Sequence, residues 1–208
     1  MAMPVDLVHE FGRAIRIVPL DDEGPVGEWL ARRGLTAERR HAVGELGILK
    51  AILSRSTMTF EPNDDGERVL VAPVWGGRAA EPECPALHLS ELVDLVGWRP
   101  NDPATLYQRL GLASVMGREG LRLSLATASP LRLFRTVEAF IRYGGESQGE
   151  FPAAVLLNFN MAWLHLADLP AVIADDIEHG TVLDEILKRQ RPAPPPIRVP
   201  VSVLEAAE

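Results

Sequence analysis

The segment from 165 to 179 carries residue types that bind metal ions. Asp175 and His179 are four residues apart, so on a helix they would lie on one face. A carboxylate and an imidazole at this spacing can ligate Zn²⁺ or another divalent cation, as in a metal-dependent hydrolase. The alternative is structural, because a histidine near the end of a helix is favoured by the helix dipole. The segment lacks the His-Glu-x-x-His pattern of metalloproteases, so we expect the structural role and no cofactor.

A second candidate is an anion site at the start of a predicted helix. Ser129 and Pro130 are typical of the first positions of a helix, and Arg132 and Arg135 follow. A helix N-terminus attracts phosphate and other anions. No glycine-rich loop or Walker motif accompanies it. The alternative is a capped surface helix whose arginines face solvent.

A third candidate is a basic region suited to nucleic acid. Arg32, Arg33, Arg39 and Arg40 flank Gly34-Leu35-Thr36, which predicts a helix, a turn and a second helix. Such a region could hold a phosphate backbone through salt-sensitive contacts. The net charge of −8 opposes general attraction to nucleic acid or to anionic membranes. The alternative is a solvated pair of helices that packs on the rest of the chain.

Nucleophilic chemistry has no local signature in the sequence. The single cysteine, Cys84, lies between acidic residues and prolines, which do not activate a thiol. No Gly-x-Ser-x-Gly motif occurs, although a triad assembled from distant residues stays open. A toprim-type Mg²⁺ site requires an acid after one strand and an Asp-x-Asp pair after another. Residues 121–129 contain no acid, and Asp175-Asp176 are predicted to lie on a helix, so we reject that site.

One βαβ unit is predicted between residues 121 and 159. Alternating leucines predict a strand over 121–125, an apolar stripe including Phe134 and Phe140 predicts a helix over 130–143, and an apolar run predicts a buried strand over 153–159. Two helical patterns precede this unit, at 25–33 and 37–54, and two follow it, at 170–178 and 182–190. Further strands are predicted around 14–18, over 68–75 and within 87–98, where a helix from Ser90 is the alternative.

These elements predict an α/β or α+β fold, with a mixed sheet that contains at least one βαβ unit and is flanked by helices. We divide the chain into a helical N-terminal part (1–60), a mixed α/β body (61–191) and a proline-rich arm with a terminal strand (192–208). The apolar strand at 197–203 is expected to pair with a sheet edge of its own chain or of a second copy, which would make a homodimer.

Two short segments are similar to uncharacterised proteins of proteobacterial phages, plasmids and integrated elements. They are the run from Val93 to Pro103, followed by Gly111 and Gly117, and the run Asn160-Met161-Ala162-Trp163, followed by Asp168-Leu169. The resemblance covers about the region 68–200. It implies a bacterial, mobile-element origin and assigns no site residues.

The composition is that of a globular protein, with 47% hydrophobic and 24% charged residues. The N-terminus lacks the basic and apolar regions of a signal peptide, and the most apolar window contains too many polar groups for a membrane span. We therefore expect a cytoplasmic protein without a membrane partner.

Since no motif pairs a reactive group with its activator, the leading hypothesis is a non-enzymatic accessory protein that binds another protein or a second copy of itself. The first alternative is nucleic-acid binding through Arg32–His41, and the second is a metal-dependent hydrolase that uses Asp175 and His179.

Overall fold

The computed structural model describes residues 5–76, 91–146 and 148–190. The predictions for Cys84 and for the arm at 192–208 concern residues outside these ranges.

Five strands close into a barrel in the N-terminal half. They are β1 (Gly47–Ser54), β2 (Thr59–Pro62), β3 (Glu67–Trp75), β4 (Leu92–Arg99) and β5 (Asp102–Gln108). Around the barrel their order is β1-β2-β5-β4-β3, closing on β1. All neighbours are antiparallel except β2 and β5, which are parallel.

The C-terminal half contains a second, four-stranded sheet with the order β6-β8-β7-β9. Its strands are β6 (Val115–Met116), β7 (Leu131–Phe134), β8 (Ala153–Leu156) and β9 (Val172–Ile173). Strand β7 is parallel to both β8 and β9, whereas β6 is antiparallel to β8. The carboxyl ends of β7, β8 and β9 therefore meet at one edge of the sheet.

Helices cover both the barrel and the second sheet. They are α1 (Leu7–Ile15), α2 (Gly24–Arg32), α3 (Ala37–Ala42), α4 (Arg118–Thr127), α5 (Val137–Tyr143), α6 (Ala162–Leu166) and α7 (Ile177–Gln190), with a 3-10 turn at Phe159–Met161. None of the helices in the described ranges combines the length and apolar composition needed to cross a membrane.

The fold class is confirmed, since the protein has mixed sheets with parallel and antiparallel strands and a βαβ unit, β7-α5-β8. The first strand of that unit lies at 131–134, inside the segment predicted as a helix. Pro130 does not begin a helix. Thr136 does, because its side chain accepts a hydrogen bond from the Ala139 N–H. Phe134 and Phe140 are buried, as expected of the apolar stripe.

The strand predicted over 121–125 is wrong. This segment lies in α4, where Leu121 and Ser124 are buried at helical spacing and Leu125 is 51% exposed. The alternating leucines are therefore split between the two sides of a helix. The helix predicted over 170–178 is also wrong, because β9 occupies its first half and α7 begins at Ile177 and continues through Gly180.

The helix predicted over 37–54 is wrong in its second half. The helix α3 ends at Ala42, and Gly44 and Glu45 take positive φ angles of 84° and 80°. These residues turn the chain into β1, which pairs with β2 and β3. The domain boundary drawn after residue 60 consequently falls within β2.

The strand predicted over 68–75 is confirmed as β3, and the strand alternative within 87–98 is confirmed for its described part as β4. The short strand predicted around 14–18 is wrong, because α1 extends to Ile15. Asp6 begins this helix by accepting the His9 N–H at 2.9 Å. Leu7, Phe11 and Ala14 then follow at helical spacing and pack into the core of the barrel.

The strand β3 is buried on both faces and joins the two halves of the molecule. Val69 and Val71 face the barrel core, together with residues of α1. Leu70, Ala72 and Val74 belong to a second cluster that also contains side chains of α5 and β8. The barrel and the second sheet thus share a hydrophobic core.

Candidate functional site

A cavity of about 790 Å³ lies between α1, α2 and the paired strands β1 and β3. This volume is within the usual range for small-molecule and cofactor sites. Its lining includes Arg13 of α1, Trp29 and Arg32 of α2, Lys50 of β1 and Arg68 of β3. We call the cavity with these five residues the basic groove. Its apolar lining residues include Ala14, Ile48 and Val69.

The cations of the basic groove come from four separate elements. Lys50 and Arg68 are directly opposite each other in the β1–β3 pairing, and both are exposed. Two like charges in this cross-strand position disfavour the pairing of the strands. The repulsion would be relieved by an anion bound between them.

The cations of the groove have few partners within the protein. Among the described residues, the guanidinium groups of Arg13 and Arg68 have no ion-pair or hydrogen-bond partner. Arg32 lies 3.7 Å from Glu28, in an exposed pair of the kind that contributes little. Lys50 donates from Nζ to the backbone carbonyl of Asp64 at 2.8 Å. Because that carbonyl is neutral, the bond does not compensate the charge of Lys50.

Two carboxylates also line the groove. Glu10 is bound through both oxygens by Arg109, at 2.8 and 3.0 Å, so its charge is compensated. Asp64 is exposed and contributes one negative charge. Four cations therefore face two carboxylates, of which one is already paired, and the groove carries local positive charge on a protein of net charge −8.

Trp29 lines the groove and packs against Arg33, which follows it in the chain. The Arg33 guanidinium carbon lies 5.4 Å from the centroid of the Trp29 ring. Arg33 donates to the Pro100 carbonyl at 2.6 Å and to Glu138 at 2.8 Å. The same Glu138 oxygen accepts from the Trp98 indole N–H at 3.0 Å. This buried network fixes the guanidinium against which the Trp29 ring packs.

The arginines predicted to bind nucleic acid are not gathered on one surface. Arg32 lines the groove, whereas Arg33 packs against the Trp29 ring and does not line the groove. Arg39 is exposed and donates to the Gly34 carbonyl at 3.2 Å. Arg40 is buried and donates to Asp22 and to the carbonyls of three residues in the preceding chain, Pro19, Asp21 and Leu35. The turn between α2 and α3 is present, but Arg40 stabilises it from inside.

The predicted anion site at 129–135 is not assembled. Ser129 precedes β7, Arg132 lies within it, and Arg135 follows it, so the three residues are spread along a strand instead of around a helix start. Arg132 packs against the Phe134 ring, with its guanidinium carbon 5.4 Å from the centroid. The helix N-terminus on which this site depended does not exist there.

Asp175 and His179 are close together, in a different way from the prediction. Asp175 precedes α7 and follows β9, so the two residues do not share a helix face. The Asp175 N–H donates to His179 Nδ1 at 3.2 Å, and its carboxylate accepts the Arg135 N–H at 2.8 Å. Arg135 also pairs with Asp176 at 3.0 Å. These contacts link the ends of β7 and β9.

The surroundings of His179 fit a structural role. The ring is 3% exposed, and burial lowers its pKa despite the nearby Asp175. Within the described ranges, no group of three or more His, Cys, Asp or Glu side chains is arranged to hold a metal ion. The acid pair does follow a strand, contrary to the prediction, but Arg135 occupies the end of the neighbouring strand β7, where a toprim site needs an acid.

Ser114 and His165 form a contact that no local motif could predict, because 51 residues separate them. Ser114 Oγ lies 2.6 Å from His165 Nε2, within reach for a nucleophile and its base. Burial, with a smaller contribution from the charge of Arg118, lowers the His165 pKa and so favours the neutral form of the ring. Among the described residues, no side chain hydrogen-bonds to Nδ1 to orient the ring. The pair also ties α6 to the chain before β6.

Asp94, an acidic residue within β4, also has a role that no local sequence pattern indicated. It is fully buried and accepts hydrogen bonds from the N–H groups of Leu110, Leu112 and Ala113, at 2.8 to 3.3 Å. A buried carboxylate that accepts several backbone bonds stabilises a fixed loop conformation. Asp94 therefore positions the loop that leads from the barrel to Ser114.

Comparison with known proteins finds no matching family model, no matching curated protein and no matching solved structure.

Proposed function

We propose that the protein is a non-enzymatic accessory protein that binds nucleic acid in the basic groove. The observation that carries this proposal is the groove itself, in which Arg13, Arg32, Lys50 and Arg68 converge on one cavity. Phosphate groups are the ligands that such a set of guanidinium and ammonium groups binds best. The interpretation retains the nucleic-acid hypothesis but moves it from Arg32–His41 to a surface built from distant parts of the chain.

The net charge of −8 does not contradict local binding. Charges separated by more than about 10 Å are largely screened at 0.1 M salt, so a phosphate in the groove interacts mainly with the cations that line it. The acidic remainder of the surface should slow association and weaken non-specific attachment elsewhere. Binding is therefore expected to be of moderate affinity and confined to the groove.

The proposal is tested by the salt dependence of binding to a fluorescent single-stranded oligonucleotide of about 12 nucleotides, within the usual site sizes of single-strand binding domains. Fluorescence anisotropy should show micromolar affinity at low salt. Each phosphate contact contributes about 0.7 to the slope of log K against log salt. The double variant Arg13→Ala/Arg68→Ala should therefore reduce that slope by about 1.4 and weaken binding at low salt.

The matched control is the double variant Arg122→Ala/Arg189→Ala, which removes two exposed arginines of the second half that pair with Glu119 and Glu185. Both double variants change the net charge equally, so only a localised site distinguishes them. Equal loss of affinity in the two variants, or no salt-sensitive binding by the unaltered protein, would contradict the proposal.

A further inference from the structure

We infer that the basic groove takes a single-stranded nucleic acid, one base of which stacks on Trp29. This inference rests on the proposed function and names the form of its ligand. The evidence is the indole ring of Trp29, because the binding of phosphates by the cations does not need an aromatic residue. A phosphate-binding surface needs positive charge, whereas an indole in the same cavity offers an apolar, flat contact that a base fills.

The position of Trp29 is set by contacts on the side of Arg33. Arg33 has two hydrogen bonds, to the Pro100 carbonyl and to Glu138, and Glu138 is only 5% exposed. The guanidinium is thus held in place, and the indole packs against it with part of its surface still exposed. A ring that is already ordered loses little conformational freedom when a base stacks on it.

The shape of the groove favours a single strand over a duplex. Trp29 lines a cavity between two helices and a strand pair, so only a base that has left a helical stack can reach its ring. The cations of β1 and β3 lie in the same cavity and could hold the phosphates on either side of that base. A paired duplex offers phosphates to these cations but keeps its base faces stacked and inaccessible.

The test compares an oligonucleotide with an abasic strand that has the same length and the same number of phosphates. Stacking on an aromatic side chain contributes about 1–3 kcal/mol per base, so the unaltered protein should bind the base-bearing strand about 5- to 150-fold more tightly. Trp29→Leu should remove this preference, so that the base-bearing and abasic strands bind this variant with equal affinity. Trp29→Phe, which keeps an aromatic ring and a similar packing, should retain part of it.

Tryptophan fluorescence provides a second measurement on the same samples. The base-bearing strand should quench the emission of the unaltered protein, and Trp29→Phe should abolish that quenching although three other tryptophans remain. An affinity preference that survives in Trp29→Leu, or quenching that survives in Trp29→Phe, would overturn the inference. In that case the proposed function would still hold if Arg13→Ala/Arg68→Ala lowered the slope of log K against log salt. If that double variant left the slope unchanged, both the proposed function and the stacking of a base on Trp29 would be wrong.

Discussion

Burial distinguishes the charged side chains that hold this fold from those that could bind a ligand. Arg40, Asp94 and Glu138 are each at most 5% exposed, and each bonds to the backbone or to side chains of another element. By contrast, Arg13 and Arg68 are exposed and have no partner among the described residues. Because buried charges must be compensated, Arg40 directs its terminal nitrogens to four acceptors within the protein, and its burial keeps it out of reach of a phosphate.

Glu146 is a partly buried acid whose titration should make stability depend on pH. Burial, with a smaller contribution from the charge of Glu119, raises its pKa from 4.5 to about 7. The folded protein therefore binds a proton that the unfolded chain has released, and stability should fall as pH rises between about 4.5 and 7. One pKa unit corresponds to about 1.4 kcal/mol, so the loss is on the order of 3 kcal/mol.

Glu146→Gln should consequently stabilise the protein at pH 8 by about 2–3 kcal/mol and have little effect at pH 5. Urea unfolding at both pH values measures the difference. Glu150→Gln is the control, because Glu150 lies in the same loop and is exposed. A Glu146→Gln effect equal at the two pH values would show that the carboxyl does not titrate in this range.

At the scale of elements, the helix α4 packs so closely on β8 that a side chain at Gly120 has no room. A Cβ at this position would lie 2.1 Å from the Ala153 carbonyl oxygen. Gly120→Ala should therefore destabilise the protein by at least about 2 kcal/mol, although alanine is the better helix former by about 1 kcal/mol.

Gly12→Ala provides the matched comparison for this prediction. Gly12 is in the interior of α1, and a Cβ there would meet nothing within 4 Å. Helix propensity alone then decides the outcome, and this variant should gain about 0.5–1 kcal/mol in urea denaturation. If both variants were stabilising, α4 would not lie against β8 as described.

The elements that were predicted incorrectly share a physical cause. Residues 47–54 and 131–134 have apolar spacings compatible with a helix, but both form strands because they pair with distant segments. β1 pairs with β3, and β7 pairs with β8 and β9. Elements whose buried face and termini are encoded locally, such as α2 and β3, were predicted correctly. Periodicity describes which side of a segment is apolar and cannot identify its partner.

The basic groove could not be predicted from the sequence for the same reason, because local patterns do not show which segments pack together. Of its four cations, only Arg32 was identified as a candidate. Residues 13, 32, 50 and 68 span more than a quarter of the chain, and they converge because α1 packs into the barrel and β1 pairs with β3. The opposed charges of Lys50 and Arg68 depend on strand register. Because Lys50 was predicted to lie on a helix over 37–54, the sequence could not place it opposite Arg68, which was predicted to lie on a strand.

At the scale of the whole molecule, the shared core should make the barrel and the second sheet unfold together. Phe140 of α5 belongs to the same cluster as Leu70 and Trp98 of the barrel. Glu138 adds a polar link, because it bonds to Arg33 and to Trp98. Neither half can lose its structure without exposing apolar surface of the other, which is the condition for a single cooperative transition.

Phe140→Ala tests this coupling, because the substitution lies in the second half and its effect can be followed in the barrel. The cavity should cost about 3–5 kcal/mol. Hydrogen exchange with mass spectrometry at increasing urea concentration should then show peptides of β3 and β4 losing protection at the same lowered concentration as peptides of β7 and β8.

Leu166→Ala, in the cluster on the other face of the second sheet, serves as a comparison that does not touch the shared core. Under a single transition it too should lower the midpoint of the barrel peptides, since global unfolding has one free energy. If Phe140→Ala shifted only the peptides of the second sheet, the two halves would be separate folding units, and the basic groove, which is built mainly from α1, α2 and the barrel, would be stable without the rest of the chain.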